Sequence, residues 1–157
     1  MRKLEFLFAS LLVITMGLGI SSCSKDDDEP TIPSAKEVAG TYTGDIECFI
    51  MGNSYVTYND LTVVIVAEDE DDVTIKLPAY GETPMTFPEI TVTDVDVENL
   101  NGVYELESKG FSGTFQSGTA YTGVIGGTYT NKTLSLTISY NIGSMPTMTC
   151  IFTANKK

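Results

Sequence analysis

The chain has 157 residues, 21 acidic and 9 basic, for a net charge of −12, the size of about one domain. Charge of that sign repels nucleic acid and anionic bilayers, which excludes both as electrostatic partners. There is no His and no Trp, which excludes imidazole acid–base catalysis, Ser-His-Asp chemistry and His-ligated metal, and no cofactor is expected.

Arg2 and Lys3 open the chain, and residues 6–20 form an apolar run of 15, short of the about 20 residues that a helical span needs. Residues 1–22 therefore read as an export signal. Ile20, Ser21, Ser22 and Cys23 resemble the bacterial lipobox, an aliphatic residue and two small residues before a Cys. The resemblance implies cleavage just before Cys23, diacylglycerol on its thiol and acylation of the new N-terminus, so the membrane is a partner through a lipid anchor. Loss of residues 1–22 removes Arg2, Lys3 and Glu5 and leaves 135 residues with 20 acids and 7 bases, a net charge of −13. Ser24, Lys25, Asp26, Asp27, Asp28 and Glu29 follow. Four consecutive acids cannot pack, so residues 23–37 read as a lipidated, solvated tether. Ser-Lys-Asp-Asp-Asp also resembles the acidic export signal of Bacteroidetes lipoproteins, which implies an outer-membrane location with display on the cell surface.

Residues 34–39 suit one helical turn, with Ser34 as N-cap and Glu37 at the capping-box position. From Gly40 onward the pattern is β throughout, with Gly, Asn and Asp punctuating at short intervals. Eight strands are predicted. The first, 41–50, puts Tyr42, Ile46, Cys48 and Ile50 on one face. The second is centred on 61–67, with 55–58 as a first arm. The acidic tip 68–72 leads to the third, 73–77, which Pro78 ends. The fourth, 90–97, changes parity between Val92 and Val95, which predicts a bulge near Thr93 and Asp94. Asn101-Gly102 is a hairpin turn. The fifth is 103–108, and the sixth is 120–129 with 111–115 as a short arm. The seventh, 134–142, alternates cleanly, and the eighth is 147–154.

Short connections between alternating strands imply antiparallel neighbours, in an up-and-down barrel or a sandwich. Outward positions rich in Thr, Ser and acids disfavour a lipid-facing barrel. Gly44, Gly123 and Gly127 fall on the inward parity, where a small barrel bends most. Val38-Ala39-Gly40-Thr41-Tyr42-Thr43-Gly44, Pro88-Glu89-Ile90-Thr91-Val92 and Asn101-Gly102-Val103-Tyr104-Glu105-Leu106 resemble the calycin-like (lipocalin-like) barrel lipoproteins of Bacteroidetes. So do Thr133-Leu134-Ser135-Leu136, Met145-Pro146 and Phe152-Thr153-Ala154-Asn155-Lys156. The resemblance implies an all-β, eight-stranded antiparallel calycin-like barrel over 38–157. It brings no catalytic residues, and without Trp the lipocalin Gly-x-Trp signature is absent.

The inward tyrosines Tyr42, Tyr104, Tyr121, Tyr129 and Tyr140 are the candidate lining of a ligand cavity, or else part of a filled core with its hydroxyls paired. Glu68–Asp72 lacks the Gly and spaced ligands of a Ca²⁺ loop and reads as a solvated tip. Asp94, Asp96 and Glu98 alternate along one strand and read as a solvent face. Asn131-Lys132-Thr133 matches a glycosylation sequon but reads as a turn. With Cys23 lipidated, Cys48 and Cys150 remain, on the first and last strands and both inward. Barrel closure would make those strands neighbours, so the two thiols either form a disulfide across the seam or stay free in the core. With no nucleophile–base pair or metal set, an enzyme is not expected. The expected function is binding of a small amphipathic ligand in the barrel, or else binding of a surface protein or glycan by the exterior of a filled one.

Overall fold

The structure, a computed structural model, describes residues 32–83 and 85–157. The lipobox residues Ile20, Ser21, Ser22 and Cys23 and the acidic tether over 24–29 lie outside the described residues.

After a short helix, α1 (Ser34–Val38), come β1 (Gly40–Ile50), β2 (Asn53–Ala67), β3 (Asp72–Leu77), β4 (Tyr80–Glu82), β5 (Met85–Phe87), β6 (Ile90–Leu100), β7 (Val103–Thr114), β8 (Ala120–Thr130), β9 (Thr133–Ile142) and β10 (Met148–Asn155). Eight of these strands close into an antiparallel barrel in the order β1-β10-β9-β8-β7-β6-β3-β2, while β4 and β5 pair only with each other. The alternation of apolar side chains drives the closure. Leu134, Leu136, Ile138 and Tyr140 on β9 are fully buried, as are Tyr42, Ile46 and Cys48 on β1, and polar residues between them face out.

Register shifts shape the wall. Val73 pairs with Val95 and Ile75 with Val92, so β6 carries one extra residue there, and Asp94 adopts φ 56°. This is the bulge that the parity change predicts. On β2, Gly44 faces Leu61 but Ile46 faces Tyr58. Asp60, at φ 58°, takes up the extra residue and donates its N–H to Asp45 Oδ1 at 3.1 Å. The two expected arms of the second strand are therefore one continuous strand. Phe111, expected in an arm of the sixth strand, belongs instead to β7, which resumes pairing with β8 after a shift between Leu106 and Lys109.

Two local expectations are corrected. Ser34 is the first residue of α1 rather than its cap; Pro33 occupies the cap position, with no side-chain cap bond. The N–H of Ala35 is satisfied by the Glu70 carbonyl at 3.0 Å, which removes the need for a capping box with Glu37. The acidic tip is also more than solvated chain. Its side chains from Glu68 to Asp71 are exposed, but its Asp71 carbonyl accepts the Val97 N–H at 2.7 Å, tying the tip to β6 as well as to α1. On β3, Thr74 is buried on the outward side beside the β6 bulge, and its hydroxyl has no partner.

Strand direction sorts the connections between the two ends of the barrel. The α1 end carries α1, the 68–72 turn and Lys156. The hairpin end carries the 51–52 turn, the β4–β5 hairpin, and the 115–119 and 143–147 connections.

Candidate functional site

The five inward tyrosines do not meet in one place. At the α1 end, the Tyr42 ring lies 6.2 Å from that of Tyr129, and Tyr129 lies 5.9 Å from Tyr104. The Tyr42 hydroxyl donates to the Val38 carbonyl, and Lys156 sits 5.6 Å above the Tyr129 ring, a cation–π contact. Lys156 also donates to the Glu37 carbonyl. Ala35 and Val38 of α1 are fully buried, so this end is stoppered. Tyr104 is only half-buried.

Tyr121 and Tyr140 belong to the hairpin end, 6.2 Å apart. There they join residues that the sequence reading did not assign to a site. Phe87 stacks 5.0 Å from Tyr80 and packs 4.6 Å from Tyr140 and 5.6 Å from Phe115. Tyr58 reaches Tyr80 at 5.4 Å, and Phe111 lies 5.5 Å from Tyr140. The hydroxyls of Tyr80 and Tyr140 share a hydrogen bond of 2.7 Å inside this aromatic cluster. One signal for it was available. Tyr80 and Phe87 stand symmetrically about residues 83 and 84 and become a cross-strand pair.

Burial pushes the Tyr42, Tyr80 and Tyr140 phenols well above their usual range, and at Tyr80 the Tyr140 phenol adds to the effect. The native state thus holds these protons more tightly than the unfolded chain does. Below about pH 10 both states are protonated and the stabilisation is complete; above it the unfolded chain ionises first and stability falls as pH rises. In a spectrophotometric titration these tyrosines should ionise together with loss of the β signal in circular dichroism. Ionisation of all eight tyrosines before unfolding would contradict their burial.

The exterior has its own hollows. A trough of about 320 Å³ is lined by Asp96, Glu98, Glu105 and Glu107. Glu98 faces Glu105 across the ladder, a like-charge pair that costs stability, and Asp72 faces Asp96. A hydrogen bond shared with Asp96 raises the Asp72 carboxyl, while that bond, with a second to Glu107, holds Asp96 down. A groove of about 410 Å³ at the hairpin end lies among Phe49, Met51, Gly52, Thr147, Thr149 and Ile151. Among the described residues, no group of three or more acids or cysteines is placed to hold a metal ion. Asn131 and Lys132 form the β8–β9 turn, both at positive φ.

Cys48 and Cys150 stand directly opposite each other on β1 and β10. Their sulfurs are bonded, with the Cα atoms 4.0 Å apart.

Residues 38–154 match the family defined by the calycin-like β-barrel domain. The chain belongs to that family. Among solved structures, this calycin-like chain is similar to a "putative outer membrane protein" from Bacteroides fragilis, with a TM-score of 0.66 and 25% identity. The match covers 80% of this chain and 53% of the other, so the calycin-like chain spans about half the length of that protein. Comparison with curated proteins finds no match.

Proposed function

We propose that this calycin-like chain is an outer-membrane lipoprotein, anchored through Cys23 and displayed at the cell surface by the 24–29 tether, whose barrel binds a small amphipathic ligand without catalysis. The observation that carries the ligand reading is the hairpin-end cluster. Rings from Tyr58, Phe111, Phe115, Tyr121 and Tyr140 converge there around one buried hydroxyl pair, apolar walls with a single polar contact, the lining chemistry of small-molecule sites, with Tyr80 and Phe87 filling the space between them. The description of the Bacteroides fragilis neighbour supports the location.

The test is native mass spectrometry of protein purified gently from its own host, with a fluorescent hydrophobic probe titrated in parallel. A bound small molecule that is lost in Tyr140→Ala while the fold persists is the expected result. A clean apo mass with no saturable probe uptake would favour the second reading, a filled barrel that meets a protein or glycan partner through its exterior, for which the acid-lined trough beside Glu105 is the motive. For the anchor, Cys23→Ala should shift the protein from the detergent phase to the aqueous phase. Unchanged partitioning would sink the lipidation, and stable anchoring needs more than one acyl chain.

A further inference from the structure

β4 and β5 are hydrogen-bonded to each other and to no barrel strand. A two-stranded hairpin is marginal on its own, so packing of the Tyr80 and Phe87 rings, 4% and 1% exposed, is what seats it in the mouth. The surrounding rings are held differently. Tyr58 is on β2, Phe111 on β7, Tyr121 on β8 and Tyr140 on β9, each in a strand of the closed barrel. The wall therefore persists when the hairpin lifts. What lifting leaves behind is a slot two rings wide, the space of Phe87 beside Tyr140 and Phe115 and of Tyr80 stacked on it beside Tyr58, and a Tyr140 hydroxyl that has lost its only partner among the described residues, 2.7 Å away on Tyr80. A planar ring in the place of Tyr80 refills part of that slot, and a hydroxyl on it restores the lost hydrogen bond.

We infer that the hairpin-end mouth is a binding site for small aromatic molecules bearing a hydroxyl, which enter by exchange with the β4–β5 hairpin. Phe87 and Tyr80 act there as built-in occupants that a ligand displaces. The inference rests on the ligand-binding reading above and narrows it to a chemical class and a route of entry.

The experiment titrates p-cresol and toluene into the full-length protein in detergent and follows amide hydrogen exchange over 79–88 and over β9. p-Cresol should bind about tenfold more tightly than toluene, because toluene leaves a buried hydroxyl unpaired. Saturating p-cresol should strip protection from the hairpin while β9 keeps its own. Two variants should raise p-cresol affinity. Gly81→Ala loosens the hairpin, since Gly81 sits at φ +98° and an added Cβ would meet the Met85 carbonyl. Tyr80→Phe keeps the ring but leaves Tyr140 unpaired before ligand arrives, with a gain of about tenfold. Uptake with unchanged hairpin protection, equal affinity for p-cresol and toluene, or no uptake by wild type and both variants would each overturn the inference. If the fluorescent probe still binds saturably in those cases, this inference fails alone; if the probe also fails to bind, the ligand-binding reading falls with it.

Discussion

Replacing Cys48 and Cys150 together with alanine should lower the unfolding free energy by about 3–5 kcal/mol. The bridge spans 102 residues of sequence, nearly the whole barrel. In the chain-entropy account a loop of about 100 residues, once closed, is worth about 4.7 kcal/mol. Both residues are fully buried, so alanine also leaves a small void where two sulfurs packed. Urea denaturation of wild type, of wild type under reductant and of the double variant checks this. Reduced wild type should have a midpoint well below the first, and the double variant one lower still by the cost of the void. Identical midpoints for all three, or quantitative alkylation of both thiols without reductant, would show that no bridge stabilises the barrel.

The second large effect is expected at Gly127. A Cβ there would meet the Ser135 carbonyl and come within 3.0 Å of the Leu136 Cα. Both obstacles are backbone of the paired strand β9, so no side-chain rotation relieves the clash. Gly127→Ala should cost about 3 kcal/mol, the upper end for overpacking a core. Gly123→Ala tests a related device: the Phe111 ring lies over that glycine, and the Ser139 carbonyl is 2.6 Å from the added carbon. A ring filling the space above a glycine supports a bent strand without a side chain of its own. Gly110→Ala is the control, because its added Cβ would have only the Gly123 carbonyl near it, at 3.8 Å. If Gly127→Ala and Gly110→Ala unfold at the same urea concentration, close approach does not explain the inward glycine.

Side-chain parity made much of this barrel legible. The unbroken alternation from Leu134 to Ile142 reappears as β9, and the odd step between Val92 and Val95 marks the bulge. Parity fails where the backbone absorbs a residue without a sequence signal. Asp60 turns left-handed inside β2, so an apparent gap between two arms is one strand. Parity also assigns a side chain to the barrel axis but not to a height along it. Height depends on the stagger between strands, which no single strand records. That is why Tyr42 and Tyr140 look equivalent in sequence yet sit under different ends. The β4–β5 hairpin escaped for another reason: three-residue strands flanked by prolines offer too few alternations to register as strands.

The seam bridge also sets how the domain bears tension. The chain on the N-terminal side enters the wall at Gly40, the first residue of β1, and Cys48 is eight residues further on. A pull from that side, as thermal motion of a membrane anchor would exert, can peel β1 only as far as that cysteine, about 28 Å of extended chain. Beyond it the load passes through sulfur to β10, and the residues between Cys48 and Cys150 form a closed loop that cannot be drawn out. The bridge thus limits how far tension from the N-terminal side can open the barrel, with most of its core lying between the two cysteines.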